Sequence, residues 1–271
     1  MRESIKSAMF ALKAEIVDPH KPCEGTGWLI PEKPGVNNSC ECMVVFHYLN
    51  SLIEVKISRE YWWLGLDNME IAEEYKTLCR WYNERMGNAV QHGLGVLFIG
   101  PNGVGKTSMQ CAIGKEAVVQ GYNVQYVTAQ QYIEASKDKD TTFLHEIESG
   151  QMILLDEMDK VYITQSSNYV TKTLEDFLRR KTADGVAFII CTNHEENTLA
   201  DVFGQSTMSM LRRHLRFVAV EGEDYSQKLQ KRWNSLMETK TDYYADEIVS
   251  MAQRMMDREM KEDDVAWKKA Y

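Results

Sequence analysis

The stretch "GPNGVGKTS", Gly100 to Ser108, constrains the fold of this 271-residue chain more than any other segment. It follows the apolar run "VLFI" and precedes the helical stretch "MQCAIGKEAVV". Its three glycines let the backbone turn N–H groups toward an anion, and the start of the following helix adds the positive end of its dipole. A strand, a glycine-rich loop and a helix in this order are typical of a phosphate-binding P-loop, so the segment predicts a nucleotide site.

Two side chains of this loop have predicted roles of their own. Lys106 would reach the β- and γ-phosphates, and the Thr107 hydroxyl would hold Mg²⁺. ATP and Mg²⁺ are therefore the expected cofactors. The predicted nucleotide-binding residues are Gly100, Pro101, Asn102, Gly103, Val104, Gly105, Lys106, Thr107 and Ser108.

Two later apolar runs end in polar residues. The run "QMILLDE" ends in Asp156 and Glu157, and "VAFIICTN" ends in Asn193. The expected roles are Mg²⁺ binding for Asp156, activation of an attacking water for Glu157, and positioning of that water for Asn193. Each could be an ordinary turn residue by itself. The P-loop upstream makes the catalytic interpretation the better one.

Short apolar runs alternate with amphipathic stretches from residue 95 onward, which predicts an α/β fold with a parallel sheet flanked by helices. We also expect an amphipathic helix over residues 1–18 and strand or mixed character over 43–57. A long helix should follow the aromatic loop near residue 62, with Asp67 and Asn68 as caps. The charged stretch after residue 224 predicts helices without strands.

Composition limits the function classes. The chain is 44% hydrophobic and 26% charged, which is ordinary for a globular protein with one sizeable domain and a smaller one. No apolar run approaches the roughly 18–20 residues of a membrane span, so a cytosolic protein is favoured. The net charge of -9 argues against coating nucleic acid with the whole surface but leaves a local basic channel open.

Cysteine spacing suggests a metal clip near the N-terminus. In "HKPCEGTGWLIPEKPGVNNSCEC" the pairs His20-x-x-Cys23 and Cys40-x-Cys42 are separated by a loop. His47 is an alternative ligand, and a set without metal is the other interpretation. Six cysteines are too few for a disulfide-dense scaffold. The remaining three are expected only to pack: Cys79, Cys111 and Cys191.

The order of these motifs, with an arginine-bearing helix after Asn193, resembles the AAA+ ATPases. Within them the chain is most similar to helicase loaders of the DnaC/DnaI type and to the transposon-related IstB proteins, over about residues 57–226. The resemblance implies an arginine finger, Arg212 or Arg213, that reaches the neighbouring subunit's γ-phosphate, and Arg213 is preferred. Ser226 and Gln227 stand where the family usually carries a second arginine.

The resemblance also gives the cysteine pattern a meaning. Many loaders carry a small zinc module with a C-x-x-C-x-x-T-G-W start and a later C-x-C, and here His20 takes the first position. The resemblance therefore implies a Zn²⁺ ion bound by His20, Cys23, Cys40 and Cys42, since a closed His-Cys₃ set suits a structural zinc ion. The expected domains are a helix and zinc-binding, helicase-docking module (1–56), an AAA+ ATPase domain (57–226) and a helical tail (227–271).

The implied function is ATP-dependent loading of a replicative DnaB-type hexameric helicase during initiation of DNA replication, in the cytoplasm of a bacterial or phage-infected bacterial cell. The implied partners are that helicase, single-stranded DNA and further copies of the chain in a nucleotide-dependent oligomer, with no membrane. Two alternatives stay open, an IstB-like transposition regulator on duplex DNA and an ATP-switched adaptor with little turnover. The DNA-contact candidates are Lys137, Lys139, Lys172 and Arg179.

Overall fold

The computed structural model describes residues 40–62, 64–160, 168–225, 249–258 and 261. The chain divides into two compact units. The larger comprises Leu64–Ala117 and the described part of Tyr122–Glu238, and the smaller comprises the described residues before 64, Val118–Gly121 and the described residues after 248. The helix predicted over residues 1–18 lies outside the described residues.

A five-stranded parallel sheet forms the centre of the larger unit, in the order β2-β3-β4-β1-β5. All six residues of β4 and all five of β3 are buried, which explains why their sequences are continuous apolar runs. The predicted α/β class with a parallel sheet is confirmed. The strands are β1 (Gly95–Ile99), β2 (Val124–Thr128), β3 (Met152–Asp156), β4 (Ala187–Thr192) and β5 (Leu215–Ala219).

Helices connect these strands. Two begin at side-chain caps: Thr128 and Gln131 form a reciprocal capping box, and Asp140 accepts a hydrogen bond from the N–H of Phe143. In the described part of the chain, no helix is long and apolar enough to cross a membrane. The helices are α1 (Glu41–Val55), α2 (Glu73–Glu84), α3 (Met86–Gln91), α4 (Lys106–Val119), α5 (Ala129–Asp138), α6 (Thr141–Glu148), α7 (Asn168–Ala183) and α8 (Glu196–His214).

The core is held by aromatic packing on one side of the sheet and by a buried amide on α4. The rings of Tyr132 and Phe177 stack with centroids 3.9 Å apart, so α5 and α7 pack against each other. Gln110 on α4 is fully buried, and its Nε2 donates to the carbonyl oxygens of Leu155 and Ile189 at 3.1 and 2.7 Å. The helix that follows the P-loop is thereby anchored to β3 and β4.

Helix α8 consists of two segments that turn at Gly204. This glycine has φ 74° and ψ 158°, outside the helical region. The guanidinium of Arg212 contacts the carboxylate of Glu196, at 2.6 and 2.9 Å, although the two residues stand near opposite ends of α8. The turn therefore brings the end of α8 back beside its beginning.

The strand or mixed character predicted for residues 43–57 is wrong, because most of this segment is helix α1. Its β-branched residues favour a strand, but the spacing of the buried positions is helical. These positions are Val44, Tyr48, Leu49, Leu52 and Val55. In the same unit the Tyr48 hydroxyl donates to the Met251 sulfur at 3.3 Å, and residues 249–258 are helical, as predicted for that part of the tail.

The predicted caps of the next helix are also wrong. Helix α2 begins after Ala72, several residues beyond the expected position. The Asn68 Oδ1 instead accepts a hydrogen bond from the N–H of Gly65, and Asp67 pairs with Arg80 at 2.7 Å. Their side chains therefore stabilise a turn and an ion pair. The long helix expected here is divided at Arg85 into α2 and α3.

Replacing Gly95 by alanine is expected to lower the midpoint of thermal unfolding. The added Cβ would lie 1.8 Å from the Phe188 carbonyl oxygen in β4, so β1 and β4 would have to separate. Overpacking of this kind costs about 1–3 kcal/mol, which corresponds to several degrees in a domain of this size. Gly222→Ala is the matched control, because no heavy atom lies within 4 Å of its added Cβ. Calorimetric midpoints that fell equally in both variants would contradict this strand spacing.

Candidate nucleotide site

The residues predicted for the nucleotide site meet at one edge of the sheet. Strands β3, β4 and β1 are neighbours, and their carboxyl ends lead into Glu157, Asn193 and the loop from Gly100. Parallel strands place all three ends at the same edge, where open α/β sheets bind ligands. The structure therefore brings together segments that are almost one hundred residues apart in sequence.

The backbone of the P-loop requires its glycines. Gly103 and Gly105 have φ values of 81° and 92°, in the region that L side chains rarely adopt. Gly100 is needed for space, since a Cβ there would lie 2.2 Å from the Val220 carbonyl oxygen. The segment after β5 also contacts the loop, because the N–H of Tyr225 donates to the Gly103 carbonyl oxygen at 2.8 Å.

Lys106 is a buried cation whose hydrogen-bond partners are neutral. Its Nζ donates to the carbonyl oxygens of Gly100 and Pro101 at 2.8 and 2.6 Å, and to Asn193 Oδ1 at 2.8 Å. Burial lowers the pKa of this ammonium. A buried charge without a contacting carboxylate favours an anionic ligand, and its place at the start of α4 suits phosphate.

Asp156 and Thr107 face each other. The Thr107 hydroxyl lies 3.4 Å from Asp156 Oδ1, which also accepts from the Glu157 N–H at 2.8 Å. Burial raises the pKa of the Asp156 carboxyl, against the hydrogen bonds that stabilise its charged form. Adjacent hydroxyl and carboxylate oxygens are the ligands that Mg²⁺ prefers, so these donors fit the ion.

Glu157 has an unusual backbone and a cationic partner. Its φ of 54° lies in the left-handed region, which is uncommon for a residue with a side chain. Its carboxylate forms an ion pair with the Lys160 ammonium. Strained backbone positions of this kind cluster at functional sites.

Asp159 is a residue of the site that the sequence reasoning missed. Its carboxylate is buried and accepts from the Asn193 N–H at 2.9 Å and from the Asn193 Nδ2 at 2.8 Å. These contacts orient the Asn193 amide so that its Oδ1 points to Lys106. The segment "DEMDK" shows Asp159 three residues after Asp156, but its partner Asn193 follows a different strand, so the sequence alone did not reveal the contact.

Tyr126 is the second missed residue. It lies on β2, and its hydroxyl donates to Asp156 Oδ2 at 2.8 Å. Both Asp156 oxygens therefore have donors, Tyr126 on one side and the Glu157 N–H on the other. Since tyrosine is common in strands, its sequence position carried no signal of this contact.

Comparison with known families agrees with this geometry. Residues 96–216 match the family described as ATPase family associated with various cellular activities (AAA). The match begins in β1 and ends in β5, so it contains the P-loop, the acidic pair, Asn193 and both candidate arginines. Residues 96–216 form an AAA domain. This family supports ATP binding.

One curated relative and two solved structures are similar to this chain. The chain is 26% identical over 140 residues to the ATP-binding protein of insertion sequence IS5376 from Geobacillus stearothermophilus, which covers 48% of this chain and 54% of that protein. The chain thus spans about half the length of this relative. Its fold is similar to that of the DnaC helicase loader (TM-score 0.52, 19% identity, 60% of this chain and 100% of that chain). It is also similar to the replication initiator DnaA bound to AMPPCP and single-stranded DNA (TM-score 0.50, 17% identity, 79% and 69%).

These similar proteins agree with the resemblance inferred from the motifs. A DnaC fold and an insertion-sequence ATP-binding protein are both similar to this chain, consistent with an AAA domain of the IstB-related, DnaC type. The replication-related structures share the fold with this chain.

The two candidate arginine fingers of the AAA domain have different surroundings. Arg212 forms an ion pair with Glu196, as described above. Arg213 is exposed and has no hydrogen bond or ion pair with another described residue. Both precede β5 at the amino edge of the sheet, whereas the P-loop follows β1 at the carboxyl edge. The sheet therefore separates Arg213 from the P-loop of its own chain by about 17 Å, the rise of five strand residues.

The predicted DNA contacts fall into two groups. Lys137, Lys139 and Lys172 are exposed. Arg179 is instead engaged within the domain, donating to Glu175 at 2.9 Å and to Thr207 at 2.7 Å. The three lysines are therefore the better candidates for DNA contacts, because the Arg179 side chain is held by hydrogen bonds within the domain.

Half of the predicted zinc set lies in the described part of the smaller unit. Cys40 precedes α1 and Cys42 lies in its first turn, and both thiols are buried and packed together. His20 and Cys23 lie outside the described residues. His47 is exposed on α1 rather than in the predicted strand. Among the residues with described positions, no three His, Cys, Asp or Glu side chains form a metal-binding group. The other three cysteines, Cys79, Cys111 and Cys191, are buried as expected.

Asp159→Asn is expected to slow ATP turnover without a comparable loss of nucleotide affinity. The new amide would place its NH₂ group against either the Asn193 N–H or the Asn193 Nδ2, so two donors would face each other and one of the contacts that orient the Asn193 amide would be lost. Loss of one such oriented contact costs about 1–3 kcal/mol, or roughly 5- to 150-fold in turnover. Steady-state kinetics and fluorescent-nucleotide titration measure the two effects separately. Equal losses of affinity and turnover would contradict a positioning role, and Asp159→Glu should recover part of the rate.

Proposed function

We propose that this chain is an ATPase that loads a replicative hexameric DNA helicase, and that it acts as a nucleotide-dependent assembly on single-stranded DNA. The observation that carries the ATPase part is the meeting of Lys106, Asp156 and Asn193 at one sheet edge. A buried ammonium, a metal-binding carboxylate and an oriented amide are the groups that phosphoryl transfer to water requires.

In this proposal Lys106 exchanges its contacts with neutral loop oxygens for contacts with phosphate oxygens. Thr107 and Asp156 hold Mg²⁺, which supplies positive charge beside the phosphates. Tyr126 keeps the Asp156 carboxylate oriented through its hydrogen bond to Oδ2. The P-loop glycines bring backbone N–H groups close to the triphosphate.

Glu157 and Asn193 are the residues proposed to activate and position the attacking water. As the water oxygen bonds to the γ-phosphorus and the bond to the ADP oxygen breaks, Glu157 accepts the proton of the water through Oε2, because the Lys160 ammonium contacts Oε1. Asn193 lies between Lys106 and Asp159, so its amide has a defined orientation toward the terminal phosphate.

The arginine finger comes from a second copy of the chain. Arg213 stands at the sheet edge opposite its own P-loop, so it can reach only the γ-phosphate held by a neighbour. Its lack of a described ion-pair partner supports Arg213 over Arg212, which Glu196 engages. Assembly is then coupled to ATP, because Arg213 stabilises charge on the nucleotide that the neighbouring copy binds.

Loading of a helicase is supported by the fold similarity to DnaC, which extends over that whole chain. Single-stranded DNA is supported by the DnaA structure, which contains it, and by the exposed Lys137, Lys139 and Lys172. The second candidate function is an IstB-like transposition regulator on duplex DNA. It is favoured by the insertion-sequence relative from Geobacillus stearothermophilus.

The N-terminal part of the chain is proposed to dock on the helicase through a zinc module. Cys40 and Cys42 fit one half of a tetrahedral site, since two buried, adjacent thiols are soft donors that suit Zn²⁺. His20 and Cys23 would complete the set. The metal would stabilise a segment too short to form a core of its own.

Glu157→Gln is expected to bind ATP with wild-type affinity and to lose turnover by roughly a hundredfold or more, since a general base contributes about 10²–10⁴ in rate. Lys106→Ala should lose nucleotide binding instead. Phosphate release and nucleotide titration distinguish the two variants. Normal turnover in Glu157→Gln would exclude it as the base, and a wild-type chain that binds ATP without turnover would favour the adaptor.

Binding to the host's DnaB-type helicase decides between the loader and the transposition regulator. We expect the wild-type chain with ATP to form a complex with the helicase in size-exclusion chromatography and to prefer single-stranded over duplex DNA of equal length. A complex with a transposase and a preference for duplex DNA would favour the IstB-like function. Lys137→Glu/Lys172→Glu tests the DNA assignment, with Arg254→Glu as a single charge-reversal control in the smaller unit.

Cys40→Ser/Cys42→Ser is expected to lose zinc and, with it, helicase binding, while ATP affinity stays at the wild-type value. Metal analysis should find about one zinc ion per wild-type chain, as a closed four-ligand site requires. Cys79→Ser is the control, because Cys79 is buried in the larger unit and burial raises its pKa to about 12. A wild-type chain without zinc would contradict the metal site, and zinc loss with unchanged helicase binding would contradict its docking role.

A further inference from the structure

The segment after β5 runs along the P-loop and is held there at two points. Near its start, the N–H of Val220 donates to the Ile99 carbonyl oxygen at 2.6 Å. At its end, the N–H of Tyr225 donates to the Gly103 carbonyl oxygen at 2.8 Å. We name residues 220–225 the acidic arm, because it carries three exposed acidic residues, Glu221, Glu223 and Asp224. The arm therefore forms one side of the candidate nucleotide site.

A tyrosine of α2 fixes the start of the acidic arm. Tyr75 is buried, and its hydroxyl donates to the Ala219 carbonyl oxygen at 3.2 Å and accepts from the Glu221 N–H at 3.0 Å. A hydroxyl that both donates and accepts satisfies two backbone groups at the point where β5 passes into the arm. Hydrogen bonds from α2, β1 and the P-loop thus hold the arm in place.

The side chain of Asp224 lies directly against the P-loop. A Cβ built on Gly103 would lie 1.9 Å from Asp224 Oδ1 and 2.6 Å from its Cγ, so the carboxylate occupies the space beside this glycine. The φ of 81° at Gly103 helps to turn the N–H groups of the loop toward an anion. A phosphate bound by those N–H groups would therefore lie near the Asp224 carboxylate.

This placement opposes the other charges of the site. Lys106 and the start of α4 attract phosphate, whereas a carboxylate beside the same loop repels it. The repulsion increases with the negative charge of the nucleotide. Because Mg²⁺ neutralises part of that charge, the repulsion is weaker for the Mg²⁺ complex of ATP than for the free triphosphate.

We propose that Asp224 is a specificity-determining residue, which makes the site select the Mg²⁺ complex of ATP against the free triphosphate. The metal dependence of binding then has two sources. Thr107 and Asp156 gain affinity from the ion, and Asp224 penalises a nucleotide that arrives without it. The inference rests on the proposed function for the identity of the ligand, and it adds a residue that acts on the charge of that ligand.

The test is titration of the purified full-length chain with a fluorescent ATP analogue, once with excess Mg²⁺ and once with EDTA. Asp224→Asn keeps the size of the side chain and removes its charge. We expect its affinity for the free nucleotide to rise by about fivefold or more, and its affinity for the Mg²⁺ complex to rise by about twofold or less.

Asp138→Asn is the matched control, because it removes the charge of an exposed aspartate elsewhere in the larger unit. Helix α5 begins at the carboxyl end of β2, and Asp138 is its last residue, about 15 Å further along the helix. This variant should bind both forms of the nucleotide with wild-type affinity.

Ionic strength separates the effect of charge from the effect of shape. Salt screens an exposed carboxylate, so the difference between wild type and Asp224→Asn for the free nucleotide should shrink as salt rises from about 0.05 to 0.5 M. Asp224→Glu keeps the charge and should retain the preference for the Mg²⁺ complex. A difference that salt does not change would mean that Asp224 acts through shape, which would overturn the inference.

Three further results would overturn it: equal affinity of Asp224→Asn and wild type for the free nucleotide, an equal rise for both forms, or a loss of affinity. Turnover is measured on the same samples. A chain that binds ATP with the expected metal preference but does not hydrolyse it would defeat the proposed ATPase function alone. A wild-type chain that binds no nucleotide under either condition would defeat both.

Discussion

The position of β4 between β3 and β1 is the constraint on which the candidate site depends. Parallel pairing of Leu154 with Ile189 and of Leu97 with Ile190 aligns the three strands so that their carboxyl ends coincide. A different strand order would separate the P-loop from the acidic pair. The side chains that hold this order are mainly apolar, with the buried Gln110 amide hydrogen-bonded to β3 and β4, so the hydrophobic core and the polar site are consequences of the same sheet.

Asn193 decides how charge is distributed inside that site. It accepts from the Lys106 ammonium and donates to the Asp159 carboxylate, so a neutral amide stands between two buried charges of opposite sign. Direct pairing of the two would satisfy the lysine and weaken its attraction for phosphate. With the Asn193 amide between them, the Lys106 charge is not neutralised by a contacting carboxylate, and Asp159 still accepts hydrogen bonds from Asn193. The orientation of Asn193 depends on both Lys106 and Asp159.

The sheet also explains why the proposed arginine finger has to come from a second copy of the chain. The carboxyl edge of the sheet holds the P-loop and the acidic arm, and the amino edge holds Arg213. Arg213 and the P-loop cannot meet within one chain, because the strands keep them apart.

Local signals in the sequence determined the P-loop, the strands predicted from apolar runs and the acidic pair, because each depends on residues close together in the chain. They failed for α1, where β-branched residues favour a strand and only packing selects the helix, and for Asp67 and Asn68, whose side chains bind other partners. Tertiary structure alone decided the contacts of Asp159 and Tyr126, because Asp159 contacts Asn193 just after β4 and Tyr126 contacts Asp156 at the end of β3. It also decided the position of Asp224 beside Gly103, since these residues are more than one hundred residues apart in the chain. The sequence determines which residues form each strand. Only the packed sheet determines the distances between residues on different strands.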